Sequence, residues 1–335
     1  MKKILFALAL FASLAVHAKE PAHIVFFYGG RSHGSGSHEF RAGSMLLAKC
    51  LNEQSAVKVR CTTIAGWPED ESILDTADAI VFYNDATRIV GNGWEKIDAL
   101  AKKGTGLMFM HYAVHPNEKN GEKYFLPWMG AYFKNGQSVN PFWSARIKPL
   151  AGHPTSRGVE ETETIDEYYH SLEFCTDCDV HKLGVAHFTK DNLVTINNLW
   201  TQSGYDGVGK KQTLLWGLDR PDGGRGAGFT GGHFHHNWAY DELRQLVLNT
   251  IVWVAGEEVP KDGVPVQPIT EDELNANLDD YGPRTNRLAL PQTVKIPFEQ
   301  NKLLTPAERK SVRKNNSAWE KRRGQLINAL TPLKK

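Results

Sequence analysis

The chain has 335 residues, with 38 acidic and 39 basic side chains, so its formal net charge is only +1. That near balance produces no strong overall field, so neither nucleic acid nor an anionic membrane surface is an expected partner. The length is enough for one large domain or two modest ones with a well-buried core.

The first residues have the features of an export signal. Two lysines precede an apolar run over residues 4–16, and Val16-His17-Ala18 satisfies the small-residue rule for cleavage. The run is too short to span a bilayer, and a buried first helix is the alternative interpretation. The sequence therefore predicts a signal peptide over residues 1–18, a periplasmic or secreted mature protein, and no transmembrane segment after cleavage.

Apolar strands and amphipathic helices alternate through the first half of the chain. The predicted strands are 23–30, 57–64, 79–84 and 106–113, and the predicted helices are 39–52, a short one near Glu69, and 93–103. Nearly continuous apolar strands are typical of a sheet that is covered on both faces. The alternation predicts an α/β fold with an open, doubly wound, mostly parallel sheet and helices on both faces.

A hairpin and a long helix follow in the second half. Strands are predicted at 212–218 and 226–230, joined by the turn sequence Arg220-Pro-Asp-Gly-Gly224, and a helix is predicted at 241–254. The glycine-rich run at 224–228 is no dinucleotide fingerprint, because a strand rather than a helix follows it. No nucleotide cofactor is therefore expected.

Seven histidines follow the ends of three predicted strands. They are His33 and His38 after the first strand, His111 and His115 after the fourth, and His233, His235 and His236 after the second hairpin strand. In open α/β sheets ligands bind beyond the carboxyl ends of the strands. Imidazole ligates metals and transfers protons near neutral pH, so three or four of these side chains could hold a zinc-like ion, with Glu167 as a further candidate ligand.

A competing motif lies in the first of these loops. Gly30-Arg-Ser32-His-Gly34 matches the Gly-x-Ser-x-Gly elbow of serine hydrolases. In those enzymes several strands precede the elbow and one of them supplies half of the oxyanion hole, whereas here the motif follows the first strand of the mature chain. The loop is better interpreted as a glycine-serine rim that positions His33 and His38.

Four cysteines in an exported chain raise the question of disulfides, and four allow three pairings. Cys50 and Cys61 lie on predicted neighbouring elements, while Cys175 and Cys178 could close a local loop. A redox pair or half of a zinc site is the alternative for the latter two. Structural cysteines are favoured, because no second Cys-x-x-Cys stands at matching spacing.

Four segments resemble the trehalose-utilisation, or ThuA-like, family over about residues 22–258. They are Ser32-His-Gly-Ser-Gly-Ser-His-Glu-Phe40, Gly106-Leu-Met-Phe-Met-His-Tyr-Ala113, Asp166-Glu-Tyr-Tyr-His170 and Gly228-Phe-Thr-Gly-Gly-His-Phe-His235. The resemblance implies the flavodoxin-like fold of class I glutamine amidotransferases and an association with carbohydrate catabolism. Carried over by motif, it places His38, His111, Glu167, Tyr169 and His233 in the family's pocket.

One departure from true amidotransferases bears on the chemistry. Their nucleophilic cysteine lies on a sharp Gly-x-Cys-x-Gly turn, at the position that Met110-His111-Tyr112 occupies here. Their histidine corresponds approximately to His235. Because the thiol partner is missing, glutamine hydrolysis through a thioester is not expected.

The resulting hypothesis is an enzyme that acts on a carbohydrate or keto-sugar derivative by histidine and carboxylate acid/base chemistry, with or without a divalent metal such as zinc. The metal ligands are expected to be His38, His111 and His233, and the catalytic residues Glu167, His235 and Tyr169. The residues expected to bind substrate are His33, Glu39, His115, Tyr168 and Arg225. A non-catalytic carbohydrate-binding or assembly module that uses the same pocket is the alternative.

The chain changes character after residue 258. Residues 259–297 are rich in proline and lack sustained periodicity, so an extended linker is expected. Thr305-Pro-Ala-Glu308 is a capping box that predicts the start of a basic C-terminal helix. That helix could dock on its own domain, recruit a partner or touch an anionic surface, and the first is favoured.

Overall fold

The structure is a computed structural model that describes residues 20–85, 93–189 and 201–291. The predicted signal peptide and the predicted basic C-terminal helix lie outside the described residues. No helix in the described part is both long enough and apolar enough to cross a membrane.

The strands of the described residues are β1 (Ala22–Tyr28), β2 (Val59–Ala65), β3 (Ala79–Tyr83), β4 (Gly106–Met110), β5 (Ala131–Tyr132), β6 (Trp143–Pro149), β7 (Thr162–Asp166), β8 (Glu173–Phe174), β9 (Val180–Phe188), β10 (Lys210–Asp219) and β11 (Arg225–Phe229). Nine of these strands form one mixed sheet, in the order β2-β1-β3-β4-β11-β10-β9-β6-β7. Strands β5 and β8 pair separately as a small antiparallel ribbon.

The sheet has a parallel half and an antiparallel extension. Strands β2, β1, β3, β4 and β11 run parallel, so the carboxyl ends of all five reach the same edge. The predicted hairpin of β10 and β11 is present, and from β10 outward each strand pairs antiparallel with its neighbour. The expected α/β, mostly parallel, flavodoxin-like sheet is confirmed in its parallel half, where the predicted histidine loops lie.

Helices cover both faces of the sheet. They are α1 (Phe40–Asn52), α2 (Ser72–Asp75), α3 (Trp94–Lys102), α4 (Glu118–Asn120), α5 (Leu126–Met129), α6 (Gln202–Asp206), α7 (Asp241–Val254) and α8 (Glu271–Asn275). Alternate residues of β1 enter different cores: Ile24 and Phe26 pack with α1 and α7, whereas Val25 and Phe27 pack with α3 and the α5 region. Both faces of β1 are therefore apolar, which explains its uninterrupted hydrophobic sequence.

The segment after α7 has little regular secondary structure, and it is docked on the domain. Val259, Val264, Leu274 and Leu288 are buried in the same core as α1 and α7. The short helix α8 begins with a capping box, in which Thr270 and the Glu273 side chain exchange hydrogen bonds with backbone amides. This segment, residues 259–291, is called the tail below.

One disulfide is present in the structure. Cys175 and Cys178 form a disulfide, and Cys50 and Cys61 are not disulfide-bonded to each other. Burial raises the pKa of the Cys61 thiol to about 12, so this group stays protonated at neutral pH.

Candidate metal centre at the carboxyl edge of the sheet

Two loops at the edge of the sheet carry His38 and His233 and are hydrogen-bonded to each other. The backbone amide of His38 donates to the His233 carbonyl at 2.9 Å, and the amide of His235 donates to the Gly36 carbonyl at 3.0 Å. A β-bridge between Ser37 and Phe234 lies between these two bonds. The loop after β1 and the loop after β11 therefore hold each other, and both histidine rings are buried.

Backbone strain marks two of the histidines. His38 has a φ of 54° and His111, the first residue after β4, a φ of 52°. A residue with a Cβ in this left-handed region costs on the order of 1 kcal/mol or more, and such strain clusters at functional sites. In both cases the unusual turn directs the ring beyond the strand ends.

The hydrogen bonds of His111 fix which nitrogen faces inward. Its Nδ1 lies 2.9 Å from the carbonyl oxygen of Thr230, which can only accept, so Nδ1 carries the proton. The lone pair of Nε2 then points toward His38, whose own Nε2 is 2.9 Å away. Burial is the main cause that lowers the pKa of His111 to about 3, so the ring is neutral at physiological pH.

His233 and Glu167 complete the group. The Nδ1 atom of His233 lies 3.1 Å from Nε2 of His38 and 3.2 Å from Oε2 of Glu167. Oε2 of Glu167 is also 3.6 Å from Nε2 of His111. The other carboxylate oxygen, Oε1, accepts a hydrogen bond from Asn140 at 3.0 Å. One ligand atom from each of the four residues lies within 4.8 Å of the other three.

Asp166, the residue before Glu167, fixes the loop that carries His233. Its buried carboxylate accepts from the amide of Gly232 at 2.7 Å and from the amide of Phe234 at 3.2 Å. Burial raises the pKa of Asp166 to about 6, although these backbone bonds oppose the shift. His233 is thus held between two amides that share one carboxylate.

This buried group of three histidines and one glutamate could hold a metal ion. One nitrogen of each of the three rings faces the same space, and burial together with the neighbouring imidazoles keeps the pKa of His38 far below its ordinary value. Neutral imidazoles and a carboxylate are the ligands that zinc and similar divalent ions take. A tetrahedral zinc ion separates its nitrogen ligands by about 3.3 Å, close to the spacings present here.

The outer nitrogen of His38 has its own partners. Nδ1 is 2.9 Å from Oγ of Ser32, and that hydroxyl also donates to Oδ1 of Asp85 at 3.2 Å. In a hydrolase triad the histidine stands between the serine and the carboxylate. Here Asp85 contacts Ser32 directly and the far side of His38 faces His111, so the set does not match a serine nucleophile.

Besides His38 and Glu167, three predicted residues line an open pocket next to the four-residue group. The cavity has a volume of about 350 Å³ and is lined by His33, His38, Tyr112, His115, Phe133, Asn135, Gly136, Ser138, Asn140, Glu167 and Tyr169. The hydroxyl of Tyr169 is 3.3 Å from Nε2 of His111. His115 is held by Asn135 at 2.9 Å, and His33 is exposed at the rim. The predicted residues His33, His115 and Tyr169 are therefore all within reach of a ligand in this pocket.

Four other predicted residues are placed elsewhere, which corrects the expectation that they contact a ligand. The His235 ring is buried and bonds the Leu274 carbonyl at 2.9 Å. Tyr168 points away from the pocket into the core on the other face of the sheet, because consecutive residues after β7 point in opposite directions. Its hydroxyl is hydrogen-bonded to Thr164. Glu39 binds two backbone amides, those of Gly36 and Asp279.

Arg225 is the fourth of these residues, and it lies at the wrong end of its strand. It begins β11, whereas His233 follows the end of that strand, so the two are separated by at least the length of the strand. Its guanidinium donates to Asp219 and to the Trp253 carbonyl, and it lies over the Trp253 ring. It stabilises the amino edge of the sheet.

The sequence did not predict that Asp85 and Asn140 belong to the site. Asp85 follows β3 as His111 follows β4, so the rule that polar residues after parallel strands meet at one edge could have found it. Asn140 stands in an irregular segment, where no periodicity marks it.

A family model described as trehalose utilisation matches residues 25–254. The chain belongs to the ThuA family. Among solved structures, a ThuA-like protein from Parabacteroides merdae is 13% identical, with a TM-score of 0.53 over 72% of this chain and 93% of that one. A ThuA-like protein from Bacteroides uniformis is also 13% identical, with a TM-score of 0.52 over 73% and 96%. At this identity the likeness shows the fold alone. Curated protein sequences gave no match.

Proposed function

We propose that this ThuA-family protein is a metal-assisted enzyme that acts on a carbohydrate or keto-sugar derivative. The observation that carries the proposal is the convergence of His38, His111 and His233 with Glu167, a group of which His38 and Glu167 line an open pocket. The His111 proton lies on Nδ1, so the lone pair of its Nε2 faces Nε2 of His38 at 2.9 Å, an arrangement that suits a cation shared by the two rings.

In this proposal the three histidines hold a divalent ion, and zinc is the first candidate. A bound ion of this kind polarises a carbonyl or hydroxyl oxygen and lowers the pKa of the attached group. The protein contributes rigidity, because Thr230 fixes the tautomer of His111 and Ser32 bonds the outer nitrogen of His38.

Glu167 is the residue proposed to move the proton. Its Oε1 is held by Asn140, its Oε2 faces the histidines, and the residue lines the pocket, so it can reach both the centre and a bound molecule. His235 is no longer a candidate for this role, because it is buried against the tail. Tyr169 lies beside His111 and can donate a hydrogen bond to a substrate oxygen.

The carbohydrate part of the proposal rests on the family description and on the pocket lining. Tyr112, His115 and Phe133 offer ring faces, and Asn135 and Asn140 offer amide groups, a mixture that suits a molecule rich in hydroxyls. We also propose export, which the pattern of residues 1–18 and the disulfide of Cys175 and Cys178 support. N-terminal sequencing of the mature protein tests it, and a retained Met1 would contradict it.

The decisive experiment measures metal content and affinity together with turnover. The parent chain should bind about one zinc ion, and His111→Ala should weaken that affinity by at least about 100-fold, because it removes a ligand rather than a supporting group. His187→Ala is the matched control, since His187 is an exposed histidine on β9, and it should bind zinc like the parent.

Glu167→Gln separates catalysis from binding. This variant should keep its affinity for sugars within a fewfold of the parent while turnover of glycosides and their keto forms falls by about 100-fold or more. If no sugar is converted and Glu167→Gln binds like the parent, the protein is a binding module instead. Unaltered zinc affinity in His111→Ala would refute the metal centre.

A further inference from the structure

A second cavity adjoins the pocket beside the histidine group, which is called the histidine pocket below. Its volume is about 590 Å³, and it is lined by residues 31–35 of the loop after β1 and by Tyr281, Arg284 and Asn286 of the tail. His33 lines both cavities, and its ring centroid is 3.7 Å from that of His38. A molecule bound in the histidine pocket can therefore extend a group into the second cavity.

The loop that lines this cavity lies where the strand order of the sheet reverses. The chain passes from β1 to β2 on one side and then to β3 on the other side of β1. In open α/β sheets ligands bind in the crevice at such a point, beyond the carboxyl ends of the strands. Residues 31–35 are therefore placed where this fold presents its loops to a ligand.

Arg31 is oriented by the tail with most of its donors unused. One of its N–H groups donates to the Asp280 carbonyl, and the guanidinium lies over the Tyr281 ring at 5.1 Å from the centroid. Stacking occupies the face of a guanidinium and leaves the N–H groups at its edge free to bind a ligand. The tail thus holds Arg31 beside the cavity through a carbonyl and a ring, not through a carboxylate.

Other donors of the cavity have no acceptor within the described residues. The Arg284 guanidinium and the side-chain amide of Asn286 make no hydrogen bond or ion pair there. The backbone amides of residues 31–35 also have no acceptor in the described ranges, whereas the next amide, that of Gly36, donates to Glu39. Guanidinium groups and successive backbone amides are the donors that bind phosphate and carboxylate oxygens.

No carboxylate lines the cavity. The carboxylates of the surrounding segments are those of Glu39, Asp279 and Asp280. The first and the last accept hydrogen bonds from backbone amides, and the charge of the second interacts with Arg41 and Arg31. Arg284 has no carboxylate partner in the part of the chain that the structure describes, so the cavity faces more positive than negative charge.

We propose that this cavity is an anion site, which holds a phosphate or carboxylate group of the substrate while the sugar ring lies in the histidine pocket. The inference rests on the proposed carbohydrate function, and it specifies the substrate class as an acidic sugar, either a sugar phosphate or a uronate. Because the family match ends at residue 254, the tail residues of the site lie outside the matched region. The anion site is therefore proposed for this chain and not for the family.

The first experiment asks whether the cavity binds an anion, and it needs no sugar. The full mature chain, with and without zinc, is titrated with inorganic phosphate and with acetate by calorimetry. At least one of the anions should bind equally well in both forms, which separates the site from an ion bound to zinc. Arg284→Ala should weaken that binding by about tenfold, because it removes a charged donor. Arg287→Ala is the control, since Arg287 also lies on the tail but pairs with Asp272.

The second experiment asks whether the anion is part of the substrate. Glucose, glucose 6-phosphate and glucuronate are titrated into the zinc-loaded chain, and at least one of the two acids should bind about tenfold more tightly than glucose. The acid that gains affinity identifies the group as phosphate or carboxylate. Arg284→Ala should remove the gain and leave glucose affinity unchanged.

The outcomes separate this inference from the proposed function. If neither anion binds, or if Arg284→Ala binds them like the parent, the anion site is refuted and the carbohydrate function stands. If an anion binds but neither acid exceeds glucose, the assignment of the anion to the substrate is refuted. If an anion binds and none of the three sugars does, the carbohydrate function fails while the anion site stands. Equal unfolding midpoints confirm that the variants are folded.

Discussion

Ser32 and Asp85 lie on the Nδ1 side of His38 and affect how well its Nε2, which faces the other histidines, can bind a cation. Ser32 lies 2.9 Å from Nδ1, and Asp85 holds the Ser32 hydroxyl from behind. A carboxylate placed this way keeps Nδ1 as the bonded nitrogen and leaves Nε2 for the centre. Such supporting groups commonly contribute about 10- to 100-fold to metal affinity.

Replacing Asp85 should therefore weaken metal binding although Asp85 is no ligand. Asp85→Asn is expected to lower zinc affinity by about tenfold, measured by competition with a chromogenic chelator. Asp75→Asn is the control, since Asp75 is an aspartate on α2 that pairs with Lys96. An affinity equal to that of the parent would show that Ser32 alone orients the ring.

Among the elements, the loop after β11 depends on a glycine at its turn. Gly232 has a φ of 106°, and a Cβ there would meet the Tyr83 hydroxyl at 2.9 Å. Tyr83 donates a hydrogen bond to the Gly232 carbonyl, and the Gly232 amide donates one to the Asp166 carboxylate. The turn that delivers His233 is thus constrained on both sides of the peptide.

Gly232→Ala should disturb the fold and the centre together. We expect the free energy of unfolding to fall by about 1–3 kcal/mol and zinc affinity to fall as well, because the strained turn shifts His233. Gly223→Ala is a matched control: its φ is 87°, but a Cβ there meets open space, and it lies at the opposite edge. It should lose some stability and no zinc affinity. Equal zinc affinity in both variants would contradict the explanation.

The sequence predicted the parallel elements well because their patterns are local. The 14-residue helix α7 ends where its apolar periodicity ends, and the strand before His111 is apolar throughout. The sequence could not predict which of Tyr168 and Tyr169 points toward the pocket. Both side chains are buried, and the alternation of neighbouring residues does not say which of them lies on the pocket side. His235 was misplaced because the short 3-10 helix that begins there redirects its ring toward the tail.

Across the whole molecule, histidines kept neutral by burial make stability depend on pH. Burial lowers the pKa of His170 to about 3, and burial with nearby His181 lowers the pKa of His153 to about 4. Above pH 6.5 both are neutral in the folded and unfolded states. Below it the unfolded chain takes up protons that the folded chain does not, so stability falls as pH decreases from about 6.5 toward 4.

Denaturant midpoints measured in chelator at pH 7, 6 and 5 should therefore decrease in that order. His170→Gln removes one of the groups, so its midpoint should be lower than that of the parent at pH 7 but should decline less toward pH 5. Parallel declines in parent and variant would exclude His170 as a source of the effect.

The packing of the tail also bears on how the protein should be produced and compared. A fragment ending at residue 254, where the family match ends, would leave the apolar surfaces under Val264, Leu274 and Leu288 facing water and would remove the amide partner of Glu39. Such a fragment should aggregate on expression, whereas one extending through residue 291 should remain monodisperse. A comparison of homologues over residues 25–254 alone would therefore leave out the segment that covers this part of the core.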